Sequence, residues 1–287
     1  MIIVRLDGGL GNQLFQYAAA LSFARENNCE LMLDARSYSK DEQHGGVRLH
    51  NMNIHPLKVI GKDERRKYPG WVLNIVMKAP LLSKIPFLKI AHEAYGSPGM
   101  KKQDYALMIG YWQSRRYFDG IFSELKSVFI PKEISSSSVF YSEAIMDESS
   151  VAIHVRRGDY ISNKRALKNH GICGLNYYRQ AMDYIEGRVC RPKYFVFSDD
   201  LQWVEENMES LFSGRDVSYV NGGSQEEDLW LMSLAKHNII ANSSFSWWGA
   251  YLGSSDGQIV VCPYPWYDKR QKFSLDPSLD SWVGVHK

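Results

Sequence analysis

Four stretches of this 287-residue chain carry residue types whose spacing could do chemistry. The first is Val151-Ala-Ile-His-Val-Arg-Arg-Gly-Asp-Tyr160. Side chains on an extended strand alternate faces, so His154 and Arg156 share one. In an open parallel sheet the carboxyl ends of the strands face the ligand crevice. An arginine there can fork onto a phosphate, and Gly158 lets the chain turn close to it. Arg157 points the other way, toward Asp159 or the domain fold. A surface strand end with solvated arginines is the plainer alternative. The flanking Ile153 and Val155 argue for a central strand, whose charges then need partners.

The second stretch runs from Glu226 to Gly249. Its apolar run Asn238–Ala241 delivers Asn242-Ser243-Ser244 to a helix start, where hydroxyls and free backbone N–H groups make an anion site. Serine is also a good helix cap, so capping alone would explain the same residues. Trp247 and Trp248 are expected in the core. The third stretch, Phe197-Ser-Asp-Asp200, ends another predicted strand. A carboxylate there, Asp199 or Asp200, could accept two N–H bonds from a guanine edge. It could equally cap the helix that follows.

The fourth is Gly9-Leu-Gly11 with Asp34 about twenty residues on, a partial dinucleotide fingerprint. Leu14 stands where the third glycine belongs, which weakens a nicotinamide-dependent oxidoreductase reading. Asn12 and Gln13 open the helix with amide side chains, suited to an anion or a sugar hydroxyl. A tight turn with an asparagine cap is the alternative.

These residues need elements to hold them. The pattern predicts a strand at 2–6, a helix at 12–26 on Leu14, Ala18, Leu21 and Ala24, and a strand at 31–33 closed by Asp34. Residues 35–104 are hard to read, and 105–111 looks like a strand. The run Ser135–Ser138 resembles a linker, so the domains are expected at 1–140 and 141–287. The second half then alternates. Strands are expected at 151–155, 194–197, 217–220, 238–241 and 258–261, and helices at 175–186, 201–208, 225–236 and 245–252. That is a doubly wound α/β pattern.

Composition narrows the classes. Hydrophobic residues are 45% and charged residues 23%, which excludes a disordered chain. A net charge of +2 speaks against wrapping nucleic acid. The four cysteines are scattered without a C-x-x-C pair, so neither zinc nor a disulfide framework is signalled. No uninterrupted apolar run of membrane-spanning length occurs, and the default compartment is the cytoplasm. Residues 58–102 hold ten Lys or Arg against three acids, a net +7 beside the apolar run Ile85–Ile90. Peripheral contact with anionic lipid is one expectation for that segment, and a solvated helical face is the other.

Together, Gly9-Leu-Gly-Asn-Gln-Leu-Phe-Gln-Tyr17, His154-x-Arg-Arg-Gly-Asp-Tyr160 and Asn242-Ser-Ser-Phe-Ser-Trp-Trp248 resemble the α1,2-fucosyltransferases of glycosyltransferase family eleven. The resemblance implies the soluble bacterial form, without the membrane stem of animal relatives, and a glycan of the O-antigen kind. It implies an α/β fold of GT-B type, two Rossmann-like domains facing across a cleft, with GDP-fucose held mainly by the C-terminal one. It implies an inverting transfer from GDP-β-L-fucose to the 2-hydroxyl of a galactoside, with no metal and no cofactor. Arg156 would hold the β-phosphate and His154 the nucleotide or diphosphate side. Asn242, Ser243, Ser244 and the Phe245 amide would line the phosphate site. Asp199 would read guanine, with Asp200 the alternate. Gly11, Asn12 and Gln13 would reach the phosphate and fucose from the first domain. The base is open: Asp159 is favoured over His170, and a dissociative path without a strong base is the third possibility. A non-catalytic nucleotide- or glycan-binding module is the remaining rival to an enzyme.

Overall fold

The computed structural model describes residues 1–40, 45–55, 57–62, 65, 68–84, 89–93, 107–158, 171–268 and 276–287. Contacts divide the chain into two compact units between Phe129 and Ile130.

The first unit is built on four parallel strands: β1 (Ile2–Arg5), β2 (Leu31–Asp34), β3 (Ile90–His92) and β4 (Leu107–Ile109). Their order is β2-β1-β4-β3. Between β1 and β2 runs α1 (Leu10–Glu26), in which every residue from Gln13 to Ala24 is buried. Its Ala18-Ala19-Ala20 run has no side chain large enough to hold it off the sheet. Two shorter helices follow in sequence, α2 (Gly70–Lys78) and α3 (Phe122–Val128). The helix α2 packs Leu73 and Val76 into a core with Ile3, Ile90, Leu107 and Ile109. The expected strand at 105–111 is real over 107–109, and its first two residues lie outside the described ones.

The second unit opens where a linker was expected. The serine run is the start of α4 (Ser136–Ile145), with Ser135 as its N-cap accepting from the Ser138 N–H. The Glu227 carboxylate, ninety-two residues on, accepts from the Ser135 N–H at 2.6 Å and ties this helix start into the unit. Burial raises the Glu227 pKa, but the hydrogen bonds from Ser135 and Ser224 outweigh it and bring it down to about 2.

The rest alternates as the pattern predicted: β5 (Ser150–Val155), α5 (Leu175–Glu186), β6 (Lys193–Ser198), α6 (Leu201–Phe212), β7 (Asp216–Tyr219), α7 (Gln225–Leu234), β8 (His237–Ile239), α8 (Ser244–Leu252), β9 (Val260–Tyr264) and a final strand β10 (Val283–His286). All six strands are parallel, in the order β10-β9-β8-β5-β6-β7. Central β5 is buried along its whole length. Val151, Ile153 and Val155 pack toward α5 and α6, while Ala152 packs with Phe195, Leu231 and Met232 on the opposite face. Each of these side chains larger than alanine contributes roughly 1.5–3 kcal/mol of apolar burial. Trp247 and Trp248 are core residues as expected, and the Trp247 indole N–H donates to the Pro277 carbonyl at 2.7 Å.

Candidate active site

The order of the six-stranded sheet locates the site. From β5 the chain steps through β6 to β7 on one side. It then returns through β8 to the other side of β5. That reversal puts a topological switch point between β5 and β8, where an open α/β sheet leaves a crevice at the strand ends. Three of the four sequence stretches end at this edge, on the adjacent strands β8, β5 and β6.

His154 sits next to the end of β5 and is almost wholly buried. Its Nδ1 has no hydrogen-bond partner among the described residues. Burial, and secondarily the Arg156 charge, push its pKa down to about 3, so the ring is neutral near pH 7. Its ring centroid lies 5.4 Å from that of Phe245. Arg156 follows just beyond the strand, 28% exposed, with Nη1 2.8 Å from Asp199 Oδ2.

Asp199 is the organiser of this corner. Its Oδ1 accepts from the Arg157 N–H at 2.9 Å, and its Oδ2 from the Gly158 N–H at 3.0 Å as well as from Arg156. A Cβ on Gly158 would stand 2.6 Å from Asp199 Oδ2, so only glycine permits the approach. A carboxylate has about four acceptor positions and three are used, whereas a guanine edge needs two. The expected guanine reading therefore requires Arg156 to let go of Asp199. Asp200 does what the plainer reading said: it caps α6, accepting from the Trp203 N–H at 3.2 Å. Arg157 turns away from the site. Its guanidinium lies 3.4 Å from the Trp203 ring centroid and its Nε 3.4 Å from Asp200 Oδ2.

On the β8 side, Asn242 is buried and turned inward. Its amide donates toward the Gly171 and Trp266 carbonyls at 3.4 Å each, and its oxygen accepts from the Cys173 thiol at 3.6 Å. These contacts brace the turn that carries Ser243. Ser243 is the N-cap of α8, its hydroxyl accepting from the Phe245 N–H at 3.3 Å. That bond is long, and it occupies the amide assigned to phosphate. Ser244, half-buried, is the first residue of α8.

In the first unit, Gly8 adopts φ +78°, and a Cβ there would stand 2.5 Å from Asn12 Nδ2. The Asn12 amide thus lies over the turn, its oxygen accepting from Gln113 at 2.8 Å. Gly11 is buried in the first turn of α1. Gln13 departs from expectation. It is wholly buried, donates to the Gly8 and Gly46 carbonyls at 3.1 and 2.9 Å, and accepts from the Arg48 N–H at 2.8 Å. With those bonds made it fastens a loop.

This sheet also has a switch point, between β1 and β4. Gln16 bridges the two strand ends, accepting from the Asp7 N–H and donating to the Gly110 carbonyl. Beside it the Tyr111 hydroxyl donates to Asp7 at 3.4 Å, and Glu93 accepts from the Tyr111 and Gln113 N–H groups. Burial raises the Glu93 pKa above the usual carboxylate range. Asp7, Glu93 and Tyr111 went unnoticed in the sequence because their partners are 18 to 104 residues apart. Asp159 and His170, the two candidate bases, lie outside the described residues.

The oxidoreductase reading fails on Asp34. Its carboxylate is wholly buried and held by Arg36 Nε and Nη2 at 2.8 and 2.7 Å, out of reach of a ribose.

The family model described as Glycosyl transferase family 11 matches residues 1–286. An alpha-1,2-colitosyltransferase of Escherichia coli is 40% identical, over 100% of this chain and 99% of that protein. The O-antigen biosynthesis glycosyltransferase WbnK of Escherichia coli is 32% identical, over 98% and 99%. Among solved structures, the fucosyltransferase NodZ from Bradyrhizobium superposes with a TM-score of 0.52 at 18% identity, over 87% of this chain and 91% of that one. The shared fold is of GT-B type.

Proposed function

This chain belongs to glycosyltransferase family 11, and from that premise we propose that it transfers L-fucose from GDP-β-L-fucose to the 2-hydroxyl of a terminal β-galactoside. The bond from the sugar C1 to the β-phosphate oxygen breaks and GDP keeps the electron pair. The acceptor oxygen bonds C1 from the opposite face, giving an α1,2 linkage, and its proton passes to a base, for which Asp159 is the proposed group. The C-terminal unit holds the donor, and the N-terminal unit takes the acceptor.

One observation carries the reading. A neutral, buried histidine with an unpartnered nitrogen, a partly exposed arginine and a serine-capped helix start converge on one switch point. An orphaned buried nitrogen costs about 1–3 kcal/mol, which a nucleotide contact would recover. Arg156 neutralises the charge that grows on the leaving diphosphate, as fixed donors do at a developing anion. When it turns from Asp199 to the phosphate, Asp199 regains the acceptor position that guanine requires. Donor binding and arginine repositioning are thereby one event. Ser243, Ser244 and the Phe245 amide complete the phosphate cradle as the long cap bond gives way.

The 40% identity to an alpha-1,2-colitosyltransferase supports a second donor reading, GDP-colitose, a sugar that lacks the 3-hydroxyl of fucose. The two are separable by size of effect. A pocket built to bond the 3-hydroxyl would reject colitose by about 10⁴-fold, whereas an apolar pocket would reject fucose by only about 10²-fold. NMR of the product formed from lactose with each donor tests both points. An α-anomeric signal and substitution at O2 of galactose are expected. A β-linked product, or substitution at another hydroxyl, would overturn the proposal.

A further inference from the structure

The helix α2 of the first unit is apolar on two sides. Leu73 and Val76 point into the core, and Val72 packs beside them. At 100° per residue, Trp71, Ile75 and Lys78 fall on the opposite side, three and four residues apart. Trp71 is 67% exposed and Ile75 46%. The turn that follows, Pro80–Lys84, adds Leu81 at 61% exposed. A surface tryptophan, isoleucine and leucine in one short stretch are more than scattered apolar residues and mark a contact site.

Charge says what the contact is. Among the described residues between 58 and 93, the exposed ionic side chains are Lys58, Lys62, Arg65, Lys78, Lys84 and Lys89, all cationic. Lys58 is paired with Glu30, Lys84 and Lys89 have interactions of their own, and Glu93 turns inward to Tyr111 and Gln113. Asp63 and Glu64, like Arg66, Lys67 and the run Ile85–Leu88, lie outside the described residues. Even with those two acids counted, the whole segment 58–102 is +7. A second copy of the chain is a poor occupant, because a two-fold contact would set these cations against themselves. An anionic surface with an apolar interior satisfies both halves of the patch. Tryptophan is the side chain that settles at a headgroup boundary, and lysines reach outward from there. No described helix is long and apolar enough to cross a membrane, so the contact is one of lying on the surface.

We propose that the Trp71–Ile75–Lys78 face of α2, with Leu81, docks the protein on anionic phospholipid. The test is sedimentation of the full chain with vesicles of phosphatidylcholine alone or with about one-third phosphatidylglycerol. Binding is expected only to the anionic vesicles, and it should vanish in about 1 M salt, where the Debye length is about 3 Å. Lys78→Gln should weaken it about five-fold. Trp71→Ala with Ile75→Asn should abolish it, while thermal midpoint and turnover of lactose stay as in the parent. Failure to pellet at low salt, equal binding to neutral vesicles, or undiminished binding of the variants would each overturn the proposal. So would a dimer in vesicle-free buffer that Trp71→Ala converts to monomer, which would assign the face to a second copy.

Discussion

Truncating Arg156 to alanine should separate catalysis from stability. The guanidinium is about three-quarters shielded from water and 2.8 Å from Asp199. In the proposed complex its partner is the donor diphosphate, and removing one partner of a charge pair desolvated by the bound donor costs about 2–5 kcal/mol, so transfer should fall roughly 30-fold to several-thousand-fold. Stability should hardly move. Asp199 keeps its bonds to the Arg157 and Gly158 N–H groups, so the loop stays anchored. A partly exposed ion pair contributes about 0–1 kcal/mol to folding. Arg156→Lys keeps the charge but not the fork, and should recover only part of the rate. The assay is initial-rate GDP release with saturating acceptor, run beside thermal unfolding of the same preparations. Turnover close to the parent would refute the phosphate assignment. A collapse of the thermal midpoint would show instead that Arg156 is a structural clamp.

Other outcomes follow from the same geometry. His154 refuses a proton in the folded state that the unfolded chain takes below its ordinary pKa of 6.5. Its contribution is therefore full above about pH 6.5 and lost on acidification toward 3, by about 1.4 kcal/mol per pH unit. Asp228 has the opposite sign. Burial, then Glu227 and Glu226, push it up to about 7, so its contribution is full below about pH 4 and lost as pH rises through 7. His154→Asn should flatten the acid limb of a urea-midpoint profile and Asp228→Asn the limb toward neutrality; unchanged limbs would contradict these assignments. Gly249→Ala would place a Cβ 2.8 Å from Met232 Cβ, and should cost about 1–3 kcal/mol in denaturant unfolding. Turnover should survive EDTA, since Arg156 is assigned the neutralising charge; loss of activity restored by manganese would speak against that.

What the sequence made legible was whatever its local pattern determined. The helix Leu175–Glu186 was readable to the residue because Gly174 and Gly187 bracket a single apolar face of Tyr178, Ala181, Met182 and Ile185. The edge strand β10 was not, since Val283-Gly-Val-His alternates too weakly to stand out. The serine run looked like a linker because its anchor, Glu227, comes from another helix. The same non-locality decided the site. His154, Arg156 and Ser243 could be placed at strand ends from spacing alone. That Gln13 is consumed by Gly46 and Arg48, or Asp199 by residues forty positions earlier, depends on chain segments no local window contains. The three-residue strand β3 carries too little periodicity to be separated from the surrounding loops.

The central claim is that the β5–β8 switch point serves a sugar transfer. GDP release from GDP-fucose, measured with and without lactose, addresses it directly. The account predicts release that depends on acceptor and falls with Arg156→Ala, with GDP-colitose as the alternative donor. Tight binding of either nucleotide sugar with no acceptor-dependent release would contradict it and leave a binding module in its place.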